Sequence, residues 1–233
     1  MPRPSSKPDL SRSTEDYLKT IYELEEATSP VQTSAIAGAL DVAAPSVSGM
    51  VKRLSETGFL DHVPYRGVSL TPEGKRAALR MVRRHRILET YLSTKLGYDW
   101  DSVHEEAERL EHAVSDDLIE RMAMALGNPR YDPHGAPIPT KEGVVETPHH
   151  LALSDLRVGQ VAQLRMVSDK DPERLRYVAS LGLKPGVTFE VMGRQPFRGP
   201  ITISIMSASS REQVVGYELA CSLLCAVVEP GAG

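Results

Sequence analysis

Apolar residues recur at spacings of three and four through the first sixty residues and predict three helices. The helices cover residues 13–28, 33–40 and 45–56. Ser13, with an acidic residue three positions later, resembles a capping box, and Pro45 suits the first turn of the third helix. Alternating segments at residues 59–63 and 68–71 predict two strands around a tight turn at Tyr65-Arg66-Gly67. Short helix, turn, longer helix and hairpin together predict a winged helix-turn-helix.

The helical period continues over the next sixty residues and predicts a group of three further helices. They cover residues 72–92, 101–112 and 115–126. The last of them carries more apolar positions than a helix beside two amphipathic neighbours needs, and the helix group is therefore predicted to be a homodimer surface. The apolar positions of the last helix are Leu118, Ile119, Met122 and Leu126.

Five prolines and several glycines mark residues 128–150 as a loop and linker. Beyond it, apolar alternation predicts strands at residues 161–167, 187–192, 201–205 and 225–229. Two short helices are predicted between them, at residues 172–181 and 217–224. The fold class is therefore α+β. We expect a winged helix-turn-helix at 1–74, a helical domain at 75–143 and a small β-barrel-like domain at 144–233.

The composition of the chain argues against several classes of protein. The chain has 233 residues, of which 41% are hydrophobic and 25% charged, as in ordinary globular proteins. No apolar run is long enough to span a bilayer, and residues 1–8 lack a signal core and are predicted to be a disordered tip. Cys221 and Cys225 form no disulfide framework and are predicted to be core residues, which favours a reducing cytoplasm. The net charge of −4 argues against nonspecific coating of nucleic acid.

The third helix has the features of a DNA-recognition helix. Its start carries small residues, which allow close approach to phosphates, and basic residues follow further along. An arginine at the tip of the hairpin would reach a neighbouring groove or phosphate. A winged helix used for protein contacts is the alternative. The predicted DNA-contacting residues are Pro45, Ser46, Ser48, Gly49, Lys52, Arg53 and Arg66.

Imidazoles and carboxylates share one face of the helix predicted over residues 101–112. At about 100° per residue, His104, Glu108, Glu111 and His112 fall within roughly 100° of one another. Arg109 is the only lysine or arginine between Asp99 and Glu120. Imidazole with several carboxylates is a ligand set that suits a first-row divalent metal. An acidic, solvated helix is the alternative, but the preceding helix adds a further histidine and glutamate at i and i+4.

Seven segments, all in one register, resemble the diphtheria-toxin-repressor and manganese-transport-regulator family. They are STEDYL at 13–18, IYEL at 21–24, APSVS at 44–48, RHR at 84–86, VHEEA at 103–107, EH at 111–112 and GAPIP at 135–139. The C-terminal domain is similar, more loosely, to the SH3-like domain of longer members. The resemblance implies a cytoplasmic homodimer that binds double-stranded operator DNA with Mn²⁺ or Fe²⁺ as corepressor. It implies neither a membrane nor a small-molecule substrate as partner, and it points to genes of metal uptake.

The resemblance also implies two metal sites. The primary site would consist of Asp16, His85, Glu108, Glu111 and His112. The ancillary site would consist of Glu89, Asp132, His134 and Asp169, with His104, an ancillary ligand in iron-type members, as a further candidate. Iron-type members have Met at the position of Asp16 and Cys at that of Glu108, and the oxygen donors here favour Mn²⁺. Lys19 stands where two-domain manganese regulators have a ligand glutamate, which puts the binuclear form of that site in question.

A metal bound both by Asp16 and by the helical domain would favour the arrangement in which both wings face DNA. Three alternatives stay open: an Fe²⁺-responsive repressor of the same family, a winged-helix regulator without metal, and a metal-dependent hydrolase. The hydrolase is disfavoured because the sequence has no Gly-rich phosphate loop and no nucleophile motif. Other divalent transition metals are expected to bind in vitro.

Overall fold

The computed structural model describes residues 10–63, 66–206 and 211–228. The chain divides into two compact units. The first consists of Met1–Arg84 and Pro139–Val145, and the second of His85–Ile138 and Glu146–Gly233. Three predictions fall partly outside the described residues: Tyr65 of the hairpin turn, Glu229 at the end of the last strand, and the tip at residues 1–8.

The first unit is a winged helix-turn-helix, as the sequence predicts. Its elements are α1 (Arg12–Glu25), α2 (Thr33–Leu40), α3 (Ala44–Glu56), β1 (Leu60–Val63), β2 (Gly67–Leu70) and the first half of α4 (Pro72–Leu96). The antiparallel hairpin pairs Leu60 with Leu70 and His62 with Val68. An isolated bridge between Val31 and Val68 ties the segment before α2 to the hairpin.

The N-terminal cap of α1 differs from the predicted one. Ser11, in an extended conformation, accepts the backbone N–H of Thr14 through its Oγ at 3.3 Å. Ser13 is therefore inside the helix, and the predicted capping box is wrong. The helix also ends at Glu25, before Ser29 and Pro30. Its apolar stripe is as predicted, because Leu18 and the residues around it at helical spacing are buried in the core of this unit.

α2 and α3 are held by a small apolar core. Ile36, Val47, Val51 and Leu54 point inward, and Asp41 closes α2 in the left-handed conformation. Burial of this stripe leaves the small and basic residues of α3 at the surface. Within the described ranges no single helix has the length and apolar run to cross a membrane. α2 and α3 pass such a test only together, as a pair bent by 113°.

The second unit begins with helices. The second half of α4 packs with α5 (Val103–Leu110) and α6 (Asp116–Ala125) around Ile87, Leu88 and neighbouring apolar residues. α5 ends at Leu110, two residues before the predicted end, so Glu111 and His112 lie in the turn that follows it. The chain must leave the helix there because Ser115, in an extended conformation, caps α6.

A six-stranded antiparallel sheet with two helices completes the second unit. Its strand order is β3-β8-β4-β5-β6-β7. Alternate residues of β4, β5 and β6 point into one core, which contains Leu164, Phe189 and Ile203. The elements are β3 (Leu151–Ala152), β4 (Val161–Val167), α7 (Pro172–Ser180), β5 (Thr188–Arg194), β6 (Ile201–Ile205), β7 (Arg211–Val215), α8 (Tyr217–Ser222) and β8 (Leu223–Val227), with a 3₁₀ turn at Leu153–Asp155.

The differences from the predicted sheet occur where the apolar alternation is weak. The predictions for residues 161–167 and 201–205 are confirmed, whereas β8 begins at Leu223 rather than Cys225. β3 is only two residues long and β7 begins with three polar residues, so the pattern missed both strands. Cys225 is buried, as predicted, but Cys221 is exposed, and its assignment to the core is wrong.

The proline-rich segment at residues 128–150 has only one bridge, between Tyr131 and Pro137, yet part of it is packed rather than a free linker. His134 is buried, and its carbonyl accepts the backbone N–H of Val167 in β4 at 3.0 Å. Gly135 has a φ of +89°, and a Cβ placed there would lie 1.7 Å from the carbonyl oxygen of Arg165. This close approach of two backbones fixes the loop on the sheet.

Substitution of Gly135 by alanine tests that contact. Gly159→Ala is the matched control, because Gly159 also has a positive φ, +83°, but no atom within 4 Å of a Cβ. We expect Gly159→Ala to lower the free energy of unfolding by about 1–2 kcal/mol, for the left-handed conformation alone. Gly135→Ala should cost at least about 2 kcal/mol more, for the clash. Urea unfolding followed by the fluorescence of the single tryptophan measures both; equal losses would contradict the packing described.

Candidate metal centres and DNA-contacting face

α4 carries two buried ligand-type side chains one turn apart, His85 and Glu89. Residues at i and i+4 share a helix face, so both project toward α5. His85 Nδ1 lies 2.6 Å from Glu111 Oε2, and its Nε2 lies 3.0 Å from Glu89 Oε1. The imidazole is thus held between two carboxylates, one on each side.

Four of the five predicted primary ligands come together around Glu111. The ligand atoms of His85, Glu108 and Glu111 lie within 4.8 Å of one another. His112 Nε2 lies 3.6 Å from Glu111 Oε1, and Glu108 keeps half of its side chain exposed, at 50%. Asp16 lies half-buried on α1 of the first unit, and its membership of this set stays a prediction.

His104, which the sequence placed on the same stripe, borders this group, with its Nε2 3.9 Å from Glu108 Oε1, but its Nδ1 faces a second group. Its Nδ1 lies 3.1 Å from Glu89 Oε1 and 3.4 Å from Asp169 Oδ2. The ligand atoms of His85, Glu89, His104 and Asp169 all lie within 4.8 Å of one another. Asp169, which follows β4, therefore reaches the ancillary group from the sheet, although its assignment rested on the looser part of the resemblance.

Glu89 also belongs to a third group, with Asp132 and His134 from the loop, and all three are buried. Asp132 Oδ1 accepts the backbone N–H groups of His134 and Ala136 at 2.8 and 2.9 Å. His134 Nε2 lies 2.8 Å from the carbonyl oxygen of Trp100, which only accepts, so Nε2 carries the proton. In the neutral ring Nδ1 then presents its lone pair, 3.8 Å from Glu89 Oε1.

The charges of these groups are strongly coupled. Burial raises the pKa of Glu89, but hydrogen bonds with His104 and His85 outweigh it and bring the pKa down to about 2. Burial lowers the pKa of His104, yet its contacts with Asp169 and Glu89 raise it to about 10. Burial and the charge of Glu89 raise the pKa of Asp132 to about 6. Without metal, the imidazolium of His104 therefore balances two carboxylates at neutral pH.

Several buried atoms of this cluster fit a divalent cation. Among the described residues, Glu89 Oε2, Asp132 Oδ2 and His134 Nδ1 are buried and have no hydrogen-bond partner. Leaving such an atom unsatisfied costs about 1–3 kcal/mol, and a bound cation would remove that cost. Carboxylate oxygen and imidazole nitrogen are donors that suit Mn²⁺ and Fe²⁺. The residues present therefore fit the metal that the sequence predicts.

The exposed face of α3 contains the predicted DNA-contacting residues. Pro45, Ser46, Ser48, Gly49, Lys52 and Arg53 are all exposed. Arg53 is also engaged inside the first unit, because its Nη2 donates to Thr14 Oγ1 at 3.0 Å. Arg66 is exposed in the hairpin turn, and its carbonyl accepts Gln32 Nε2–H at 2.8 Å. The contact of these residues with DNA stays a prediction.

Gly49 is the least expected residue on this face. A mid-helix glycine is destabilising by roughly 0.5–1 kcal/mol relative to alanine. Internal packing does not require it here, since a Cβ at residue 49 would meet no described atom within 4 Å. Packing among the described residues therefore gives no reason for a glycine at this position.

Three family models match the chain in succession. They are described as the N-terminal DNA-binding domain of iron-dependent repressors, matching residues 9–68, the metal-binding and dimerisation domain of the same repressors, residues 71–140, and the FeoA domain, residues 151–227. The diphtheria toxin repressor of Corynebacterium efficiens is 32% identical over 201 residues, which cover 80% of this chain and 86% of that protein. The chain belongs to the iron-dependent repressor family.

Other relatives of this repressor are named for different metals. The iron-dependent repressor IdeR of Mycobacterium tuberculosis is 40% identical over 138 residues, 59% of each chain. A solved manganese-dependent transcriptional repressor in complex with manganese is 43% identical, with a TM-score of 0.84 over 93% of this chain and 100% of that one. The family and the fold class that the sequence predicted are confirmed.

The sequence did not single out two residues that position the ancillary group of this repressor. Trp100 holds the loop at two points, since its carbonyl accepts from His134 and its Nε1 donates to Pro133 O at 3.0 Å. Arg86 Nε lies 3.6 Å from Asp132 Oδ2. The available signals were a lone tryptophan just before the ligand-rich helix and an arginine next to His85.

Asp169→Asn tests whether the sheet supplies a ligand. Removing this charge should weaken Mn²⁺ binding at the ancillary group by at least about tenfold, because even outer-shell partners of ligands contribute that much. Isothermal titration calorimetry measures the affinity. Glu212→Gln, an exposed carboxylate on the same sheet, is the control and should bind as the unaltered protein does. If Asp169→Asn binds Mn²⁺ as tightly as the unaltered protein, Asp169 is not a metal ligand and only forms an ion pair with His104.

Proposed function

We propose that this repressor binds operator DNA as a homodimer when Mn²⁺ is bound at its primary and ancillary ligand groups. The observation that carries the proposal is the convergence of carboxylates from α4, α5 and the sheet on His85 and His104. The residues lie in the region that matches the metal-binding and dimerisation domain or, for Asp169, in the FeoA region. Metal binding would thereby act on a chain that also carries a DNA-binding domain.

The choice of Mn²⁺ rests on the hardness of the donors. All ten residues of the two predicted metal sites donate through carboxylate oxygen or imidazole nitrogen, whereas softer ions prefer sulfur. Cys225 offers no thiolate, because burial raises its pKa to about 12. A relative named for manganese supports the same choice. An Fe²⁺-responsive repressor is the second candidate, because a relative named for iron is 40% identical over 138 residues.

The residues of the chain have distinct roles in this proposal. The primary ligands are Asp16 from α1, which the family resemblance implies, and four residues of the second unit: His85, Glu108, Glu111 and His112. The cation supplies a positive charge that favours whichever arrangement of the chain presents all of these donors together. Linkage then requires that DNA binding and metal binding strengthen each other.

Dimerisation is proposed to use the exposed side of α6. Leu118 and Met124 are 41% and 62% exposed, and a second copy of the chain would cover these two large apolar side chains. The apolar pattern of the sequence included Ile119 among the positions of this surface. Ile119 is instead buried within its own chain and does not belong to the proposed dimer surface. A dimer would place two recognition helices on a two-fold operator. The two domains that match repressor families argue against the hydrolase alternative.

Fluorescence anisotropy with metal-stripped protein tests the proposal as a whole. A duplex selected from random sequences would be titrated with Mn²⁺, with Fe²⁺ under anaerobic conditions, with Zn²⁺ and with chelator. The salt concentration must be fixed, because affinity for DNA depends steeply on it. Tight binding at much lower Mn²⁺ than Fe²⁺ is expected. Binding that chelator leaves unchanged would refute metal control.

Glu108→Ala tests the primary site. The Mn²⁺ concentration needed for DNA binding should rise by more than about a hundredfold, because a ligand contributes at least as much as its supporting partners. The fold should persist, since the side chain is half exposed. Glu105→Ala is the control: Glu105 is on the same helix, is exposed and pairs with Arg109 at 3.6 Å. An unaltered Mn²⁺ requirement in Glu108→Ala would show that the primary site lies elsewhere.

Gly49→Ala separates DNA contact from stability. A methyl group there should raise the free energy of unfolding by about 0.5–1 kcal/mol but lower DNA affinity by about tenfold if the helix lies against DNA. Gly38→Ala in α2 is the control, because Gly38 is also exposed with no described atom within 4 Å of a Cβ. It should stabilise equally and bind DNA normally. Normal DNA binding by both variants would remove Gly49 from the interface.

A further inference from the structure

The structure assigns two cations, not one, to the ancillary ligands: Glu89 bridges a cation held by His104 and Asp169 and a second cation held by Asp132 and His134. This inference rests on the proposed function, since it takes the ancillary group to be a metal site. It goes beyond the proposed function, because a single ancillary site formed by these residues would hold only one cation.

The ligand atoms fall into two sets that have only Glu89 in common. One set is His85, Glu89, His104 and Asp169, and the other is Glu89, Asp132 and His134. Within each set all ligand atoms lie within 4.8 Å of one another. Two donors on opposite sides of one cation, with bonds of about 2.1 Å, are at most about 4.2 Å apart. The ligand atoms of each set therefore already extend over about the width of one cation site.

Glu89 is the carboxylate common to both sets, and its Oε1 lies 3.1 Å from His104 Nδ1 and 3.8 Å from His134 Nδ1. It is 0% exposed and uses a single oxygen, Oε1, for its hydrogen bonds with His85 and His104. Its second oxygen, Oε2, is buried without a hydrogen-bond partner among the described residues. Paired metal ions in proteins lie about 3.5–4 Å apart, a separation that the two oxygens of one carboxylate span.

The second set is oriented before any metal binds. Both backbone N–H groups that approach Asp132 bond to Oδ1, which leaves Oδ2 without a hydrogen bond. The Trp100 carbonyl fixes the proton of His134 on Nε2, so the lone pair of Nδ1 remains for a ligand. Both unused atoms belong to residues at least nine-tenths buried. Arg86 Nε, 3.6 Å from Asp132 Oδ2, is the charge that competes with a second cation.

Mn²⁺ stoichiometry and electron paramagnetic resonance test the inference on the full chain. Calorimetry should give about one equivalent more Mn²⁺ for the unaltered protein than for Asp132→Asn, and the same loss for His134→Gln. The resonance spectrum of Glu108→Ala, which lacks a primary ligand, should show a spin-coupled Mn²⁺ pair that disappears when Asp132→Asn is added. Glu212→Gln should change neither reading.

The outcomes separate the inference from the proposed function. Two outcomes would overturn the bridged pair and leave the repressor proposal intact, provided that metal still controls DNA binding. One is an uncoupled Mn²⁺ signal. The other is equal Mn²⁺ stoichiometry in the unaltered protein and both single variants. No Mn²⁺ binding by the unaltered protein would overturn both. Circular dichroism checks that each variant is folded, and either of the two variants, Asp132→Asn or His134→Gln, is sufficient for the comparison.

Discussion

The placement of His85 between two buried carboxylates constrains both ligand groups. Its Nδ1 faces Glu111 at 2.6 Å and its Nε2 faces Glu89 at 3.0 Å. A neutral imidazole has one N–H and one lone pair, so a cation bound through one nitrogen leaves the other to donate to the opposite carboxylate. The two groups therefore cannot be arranged independently, because the state of one determines which hydrogen bond the other receives.

The packing of the sheet serves the same cluster. Trp100 is packed against the core of the sheet and holds the loop residues Pro133 and His134. Gly135 lies against the backbone of β4, and Asp169 follows that strand directly. The sheet thus leads directly to one candidate ligand, Asp169, and fixes the position of two others, Asp132 and His134. In an isolated helical domain the carboxylate of Asp132 and the imidazole of His134 would have no such support.

The sequence was informative where local rules decide the structure. The winged helix-turn-helix follows from apolar spacing and turn residues, and its helices and hairpin are where the pattern puts them, apart from the cap at Ser11 and the end of α1 at Glu25. It was misleading for the stripe on α5, because helix geometry alone cannot tell that α5 ends at Leu110 or that His104 turns toward Glu89. The approach of Asp169 depends on tertiary packing, and only the family resemblance, not the spacing, suggested it.

The cluster is built from groups that can exchange a proton for a metal. In the metal-free chain, the contacts that raise the pKa of His104 to about 10 are its contacts with Asp169 and Glu89, and the proton occupies the place of a cation. A lysine in that position would neutralise the carboxylates permanently and leave no donor for a metal. A metal bound at this cluster would have to displace the proton, so its apparent affinity would be lower than the ligands alone would give. A sensor needs that reduction, since a site saturated at every cellular metal concentration carries no information.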